Sequence, residues 1–267
     1  AEKTGAKPFT DADQLFNEAE FDVIDVCTPT PWHLPYIKMG AEAGKHICSE
    51  KPFCRTVEQC QEAIDVCKKA SVQLFVAHVV RWFPEFVRAK ELIESGSIGN
   101  PAIVRTTRGG GFPHASGNWF ANFEWSGGAI MDLIIHDIDW LLWVFGPAER
   151  VFAKGLYFSG IPDKDYALVT IRFKSGVIAH VEGSWATPGG FKVLLEIAGD
   201  KGLISFDNQQ AVPLIIGKFA SEASPGGVPV PSSPMHVSPY YLELQHFIDC
   251  IEEGRALGAD LVLVSNH

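Results

Sequence analysis

Apolar residues in the opening part of the chain alternate between two rhythms. Asp22 to Cys27, His46 to Ser49 and Val72 to Ala77 are short apolar stretches that predict buried strands. Asp11 to Ala19 and Pro35 to Ala43 predict helices, the second stopped by Gly44. Thr56 followed three residues later by Gln59 predicts a capping box, with Thr56 capping the backbone and Gln59 reaching back. Val57, Cys60, Ile64 and Cys67 then recur at helical spacing. Strand, helix, strand, helix, strand implies a parallel sheet.

The rhythm changes near residues 78 to 100, which places a domain boundary there and divides the chain into 1–80 and 81–267. Pro84 to Ser95 predicts a helix, Ala102 to Thr107 a strand, and Gly128 to Phe145 one continuous helix stopped at Gly146-Pro147. Ala167 to Phe173 and Val177 to Trp185 flank a Lys174-Ser175-Gly176 hairpin loop. Lys192 to Ala198 and Leu203 to Phe206 flank Gly199-Asp200-Lys201-Gly202 in the same way, and Val212 to Ile216 predicts a further strand. Ser221 to Pro239 has the composition of a long exposed loop. Tyr240 to Glu253 closes the pattern as a helix with Leu244, Phe247, Ile248 and Ile251 as its core stripe, and an apolar run follows at Ala259 to Val264. The expected fold is an α/β domain followed by an α+β domain with a mostly antiparallel sheet.

Composition narrows the function classes. A net charge of −10 without a basic cluster argues against nucleic acid or an anionic membrane surface as partner. Apolar stretches such as Leu141 to Phe145 are too short to span a bilayer. The six cysteines, at 27, 48, 54, 60, 67 and 250, form no C-x-x-C pair and no zinc spacing. They are expected to be buried, reduced thiols. That expectation, with an opening Ala-Glu-Lys-Thr that lacks a signal-peptide core, points to the cytoplasm.

Two segments carry candidate chemistry. Glu50-Lys51-Pro52 places a lysine at a strand's carboxyl end, where open α/β sheets bind ligands. An amine held against an apolar sheet edge can have its pKa lowered toward neutrality, which suits proton transfer, although an exposed surface lysine is the plainer alternative. Asp132 and His136 are spaced i, i+4, roughly 6 Å apart along one helix face, and Asp139 continues that face. Such polar groups in an apolar helix are costly to bury unless paired. A structural hydrogen-bond network or a helix cap would also explain them, whereas a metal site would need a third ligand. Gly109-Gly110-Gly111 lacks the spacing of a phosphate loop, and G-x-G-x-x-G occurs nowhere.

Together these segments resemble the Gfo/Idh/MocA family of nicotinamide-dependent sugar and polyol oxidoreductases. The resemblance rests on Glu50-Lys51-Pro52, on Gly127, Gly128, Asp132 and His136, on Thr28, Pro29 and His33, on Arg81-Trp82, on the late strands with Ala198-Gly199 and Gly202, and on Pro239-Tyr240. These motifs span more than 200 residues in the family's order. The resemblance implies a Rossmann-like first domain and NAD or NADP as cofactor. Thr28, Pro29, His33, Glu50 and Lys51 would line the cofactor side. Lys51 would contact the substrate hydroxyl, Asp132 would bind substrate, and His136 would be the acid/base. Arg81, His114, Trp119 and Tyr240 are further candidates to face a sugar or polyol, Trp119 by stacking. A homo-oligomer is expected by analogy with relatives. The family's opening strand, Gly-rich turn and ribose-binding acid have no counterpart from residue 1 onward, so the resemblance implies an opening segment outside this sequence. Redox-neutral NAD chemistry, such as epimerisation or glycoside cleavage, and a non-catalytic dinucleotide sensor remain alternatives. Lys51, Asp132 and His136 together argue against the sensor.

Overall fold

In the computed structural model, which describes residues 3–113, 115–156, 166–188, 190–210, 214–218 and 237–255, Asp11 caps α1 (Ala12–Glu18) by accepting a hydrogen bond from Gln14 N at 2.9 Å. Strand β1 (Val23–Val26) and helix α2 (His33–Glu42) lead to β2 (His46–Glu50), α3 (Val57–Ala70) and β3 (Leu74–Ala77). The three strands pair in parallel in the order β1-β2-β3. Crossovers between parallel strands pack helices on the sheet, and Ile37, Ala41, Ala63 and Cys67 from the helices bury against Val26 and Ile47.

Thr56 caps α3 as expected, its Oγ1 accepting from Gln59 N at 3.2 Å. The Gln59 side chain reaches one residue further back than the capping box requires and accepts from Arg55 N at 3.1 Å. Val57 projects into solvent from the first turn, so the buried stripe begins at half-buried Cys60. All six cysteines are free thiols; four are buried as expected, whereas Cys60 is half-buried and Cys27, just past the end of β1, is exposed.

Helix α4 (Pro84–Glu94) leads to β4 (Pro101–Gly109), followed by α5 (Phe123–Ser126), α6 (Gly128–Asp132) and α7 (Ile135–Phe145). Strands β5 (Ala148–Leu156), β6 (Tyr166–Phe173), β7 (Ile178–Ser184), β8 (Lys192–Gly199), β9 (Gly202–Asp207) and β10 (Leu214–Lys218) complete a second sheet ordered β10-β9-β8-β4-β7-β6-β5. Every pair in it is antiparallel except β4 with β7, which runs parallel from Ile103↔Ile178 to Gly109↔Ser184. Gly176, at φ +93°, turns the β6–β7 hairpin where a side chain would be strained. Strand β5 is an addition to the expected pattern: it is an edge strand, nearly exposed along its length, so burial left no alternation to read.

The inner face of this sheet, including Val104, Val169, Val181, Leu195 and Ile197, packs against Phe86, Ile134, Trp140 and Leu141 from the helices. Each such side chain contributes about 1.5–3 kcal/mol of burial. The closing helix α8 (Pro239–Glu252) packs on the first sheet instead, with Phe247 stacked on Phe75 at 5.3 Å beside Cys48 and Ala77. Its buried face is Glu243, Phe247 and Cys250, whereas Leu244 and Ile248 are exposed. Phe247 and half-buried Ile251 keep the places expected of them, while Glu243 and Cys250 are buried in place of Leu244 and Ile248, which puts a carboxylate at the head of the stripe. Residues 221–236 of the loop expected from Ser221 to Pro239 and the apolar run at 259–264 lie outside the described residues, and Pro239 already opens α8. Among the described residues no helix is long and apolar enough to cross a membrane.

Candidate functional site

The predicted helix from Gly128 to Phe145 is two helices. Ile134 N donates to Ala129 O at 3.0 Å, five residues back, and Asp137 N donates to Ile134 O at 3.1 Å, three back. This irregularity separates α6, which ends with Asp132, from α7, which carries His136. The break has a packing cause: Ile134 is fully buried over Gly183 of β7, where a Cβ would collide with the isoleucine. Asp132 and His136 therefore do not share one continuous helix face.

Lys51 joins the two halves. From the end of β2 its Nζ donates to Asp132 O at 2.7 Å and to Asp132 Oδ1 at 3.0 Å, with the side chains only 16% and 13% exposed. The lysine is thus an ion-pair donor rather than a bare amine at a sheet edge. Its own backbone N–H donates to Glu50 Oε2 at 3.0 Å, and burial raises the Glu50 carboxyl above its ordinary range. The His136 imidazole is held well below its ordinary pKa, first by burial and then by the positive charges of Lys51 and Arg108 and by His78. Its Nδ1 is buried with no hydrogen-bond partner. A ring kept neutral in this way can act as a proton acceptor at neutral pH.

Two buried carboxylates on α7 fasten this arrangement, and neither pairing was readable from the motifs. Asp137 accepts from Arg108 Nε at 2.7 Å and Nη2 at 3.2 Å. Asp139 accepts from Arg81 Nε and Nη2, both at 2.7 Å, and lies 3.7 Å from His78 Nε2. Asp139 therefore turns to His78 and Arg81 rather than to Asp132. The forked guanidinium of Arg81, a substrate candidate by resemblance, is committed to Asp139 and lies 5.1 Å from the Trp143 ring. The available signal was two aspartates in the apolar segment Ile135–Phe145, which burial obliges to find cations.

The remaining candidates divide. Thr28 Oγ1 lies buried and unpartnered just beyond β1, and Pro29 opens the short 3-10 helix Thr30–Trp32. Buried His33 faces carbonyl oxygens with both ring nitrogens, Thr28 O at 2.8 Å and Phe53 O at 3.1 Å, so it braces the wall between those loops. Trp119 stacks on Phe120 at 3.9 Å, in a part-exposed turn. Tyr240 is exposed, packs edge-on to Phe83 at 6.5 Å, and has its hydroxyl pKa raised by burial and by the charges of Glu50 and Glu243. His114 lies outside the described residues. Among the described residues no group of three or more His, Cys, Asp or Glu side chains could hold a metal ion.

Glu243 adds a titrating group behind the site. It is buried with Oε1 unpartnered, and its pKa is pushed up to about 8 by burial first, then by Glu50, Asp25 and Asp139. The unfolded carboxyl ionises near 4.5, so the folded chain keeps a proton that the unfolded chain loses across pH 4.5 to 8. The stability this group contributes is full below the lower value and declines as pH rises through the higher one. Glu243→Gln is expected to flatten the fall in urea-unfolding stability between pH 5 and pH 8 by roughly a few kcal/mol. An unchanged pH dependence would contradict this.

Residues 1–78 match the family model described as oxidoreductase family, NAD-binding Rossmann fold, and residues 86–205 match the GFO/IDH/MocA C-terminal domain. The chain belongs to the Gfo/Idh/MocA oxidoreductase family. It is similar to the uncharacterized oxidoreductase YrbE of Bacillus subtilis, at 32% identity over 75% of this chain and 60% of that protein. It is also similar to myo-inositol 2-dehydrogenase of Thermotoga maritima, at 31% identity over 80% of this chain and 65% of that protein. The chain thus spans less than two thirds of either relative. Among solved structures, GenD2 from gentamicin A biosynthesis, in complex with NAD, superposes with a TM-score of 0.83 at 26% identity, covering 99% of this chain and 79% of GenD2.

Proposed function

We propose that the protein carrying this chain is an NAD(P)-dependent oxidoreductase that transfers hydride between a nicotinamide and a sugar, polyol or related alcohol or carbonyl. The observation that carries this reading is the Lys51–Asp132 ion pair at the carboxyl end of β2, whose ammonium is near enough to His136 to lower that ring's proton affinity. The NAD-binding model over the first 78 residues and the NAD complex of GenD2 support the cofactor, and the inositol dehydrogenase supports a cyclic polyol.

The strand ends fit the nicotinamide portion of a dinucleotide. Thr28 Oγ1 is a buried polar atom in need of a partner, and Thr28, Pro29, Glu50 and Lys51 form the ledge around it. His33 keeps that ledge in shape. The bound nicotinamide supplies the hydride acceptor or donor that no side chain provides. In the oxidising direction His136 takes the hydroxyl proton. Lys51 donates to the substrate oxygen and stabilises negative charge developing there. Asp132 holds the Lys51 ammonium in place and offers a carboxylate oxygen to a neighbouring hydroxyl. Trp119 and Tyr240 stand as walls of the substrate side, and Arg81 acts there through Asp139.

The division into 1–80 and 81–267 is part of this proposal, as is a homo-oligomer formed through the second sheet. Exposed Val151, Phe152 and Leu156 on edge strand β5 support the latter. Free thiols support the cytoplasm as compartment.

Lys51→Ala is expected to lower kcat at least about tenfold and to weaken cofactor binding, because it removes both the ammonium and the tie to Asp132. Steady-state turnover with a cyclic polyol and a nicotinamide titration measure the two effects. Near-normal turnover would refute the central role of Lys51.

A further inference from the structure

Arg55 lies four residues beyond Lys51 on the same loop, and its side chain crosses to the segment that carries Asp132. Its Nε donates to Glu124 O at 2.8 Å and its Nη2 to Phe123 O at 3.1 Å. Its Nη1 abuts the Met131 thioether, and the guanidinium sits 5.7 Å from the Phe123 ring centre. The Arg55 backbone is fixed in turn by the Gln59 side chain, the contact that departs from the expected capping box. The segment is shaped to receive the guanidinium. Gly127 adopts φ +72°, and a Cβ there would collide with Arg55 and with Met131. Met131 immediately precedes Asp132, so Lys51 and Arg55 are two parallel ties between one loop and one segment.

We infer that Arg55 is a positioning residue: it clamps residues 123–131 against the loop after β2 and so sets where Asp132 meets Lys51. The inference rests on the proposed function for its catalytic consequence, but the clamp itself does not. A planar fork with several donors suits two adjacent carbonyls, and lysine reproduces only part of that pattern. Small displacements of a positioned group are costly: an error near 1 Å can lower a rate by about 100-fold.

The test uses Arg55→Ala and Arg55→Lys in the full protein, with hydrogen exchange of residues 123–132 and steady-state kinetics as separate readouts. Both variants are expected to exchange faster than wild type in that segment, alanine more than lysine. Arg55→Ala is expected to lower kcat by about 10- to 100-fold with little change in the KM for cofactor, and lysine to recover part of the loss. Because both ties act on one geometry, Arg55→Ala is expected to add little to the defect of Lys51→Ala. Wild-type exchange in both variants would overturn the clamp. Fast exchange with unchanged kcat, or a loss that multiplies fully with that of Lys51→Ala, would overturn its positioning role. If alanine does not fold, the lysine variant decides by the same criteria. If wild type shows no turnover, the proposed function fails while hydrogen exchange still tests the clamp.

Discussion

His136→Ala is expected to abolish turnover, lowering kcat by about 10²–10⁴-fold, while NAD(P) affinity stays nearly intact. The proton affinity of the imidazole is lowered first by burial and then by the charges of Lys51, Arg108 and His78. It is therefore the neutral group able to take a hydroxyl proton at pH 7, whereas Lys51 and Asp132 satisfy each other. In the proposed reading the cofactor rests on the ends of β1 and β2 rather than on α7, so loss of the ring is expected to spare its binding. Comparable losses of turnover and cofactor affinity would sink the assignment. The same shift fixes a pH dependence. A base whose pKa is depressed is lost only as pH falls well below the ordinary histidine value of 6.5. The acid limb of kcat/KM for alcohol oxidation is expected below that value. The His136 contribution to folding stability also declines as pH falls through that window, because the unfolded histidine binds its proton first, opposite in sign to the Glu243 contribution.

Asp137→Ala is expected to cost about 3–5 kcal/mol of stability, measured by urea unfolding. Asp137 is 1% exposed and Arg108 5%, and the pair joins α7 to β4 through hydrogen bonds of 2.7 and 3.2 Å. Truncating the carboxylate leaves a guanidinium in a poorly solvated place over the Phe86 ring, 5.9 Å away. The charge is also within reach of His136. Replacing both partners by apolar side chains of similar size, Asp137→Leu with Arg108→Met, is expected to cost much less, because no charge is stranded. A single-variant loss below about 1 kcal/mol would contradict the pairing.

Much of the architecture is legible in the sequence because it is written in periodicity. The three apolar runs of the first sheet and the Gly-centred hairpins of the second follow from local pattern and turn chemistry. What periodicity could not show is the break inside the apolar run from Gly128 to Phe145. It depends on a distant glycine, Gly183, that makes room for Ile134. The exposed Leu244 and Ile248 mislead for a related reason: the helix they belong to takes its face from Phe75 and Cys48 of another sheet. The Glu50-Lys51-Pro52 segment located Lys51 correctly at a strand end, but only the fold could pair it with Asp132, 81 residues away. Arg108 and Asp137 were invisible individually. The need for partners around α7 was visible in its two aspartates, and their identity was not.

The most direct test of the account is nicotinamide reduction by the protein carrying this chain, followed by absorbance over a panel of sugars and cyclic polyols with NAD and NADP. The account predicts turnover on at least one member that is lost in His136→Ala while that variant still binds the cofactor. Absence of turnover on every member, or equal turnover in wild type and His136→Ala, would contradict it.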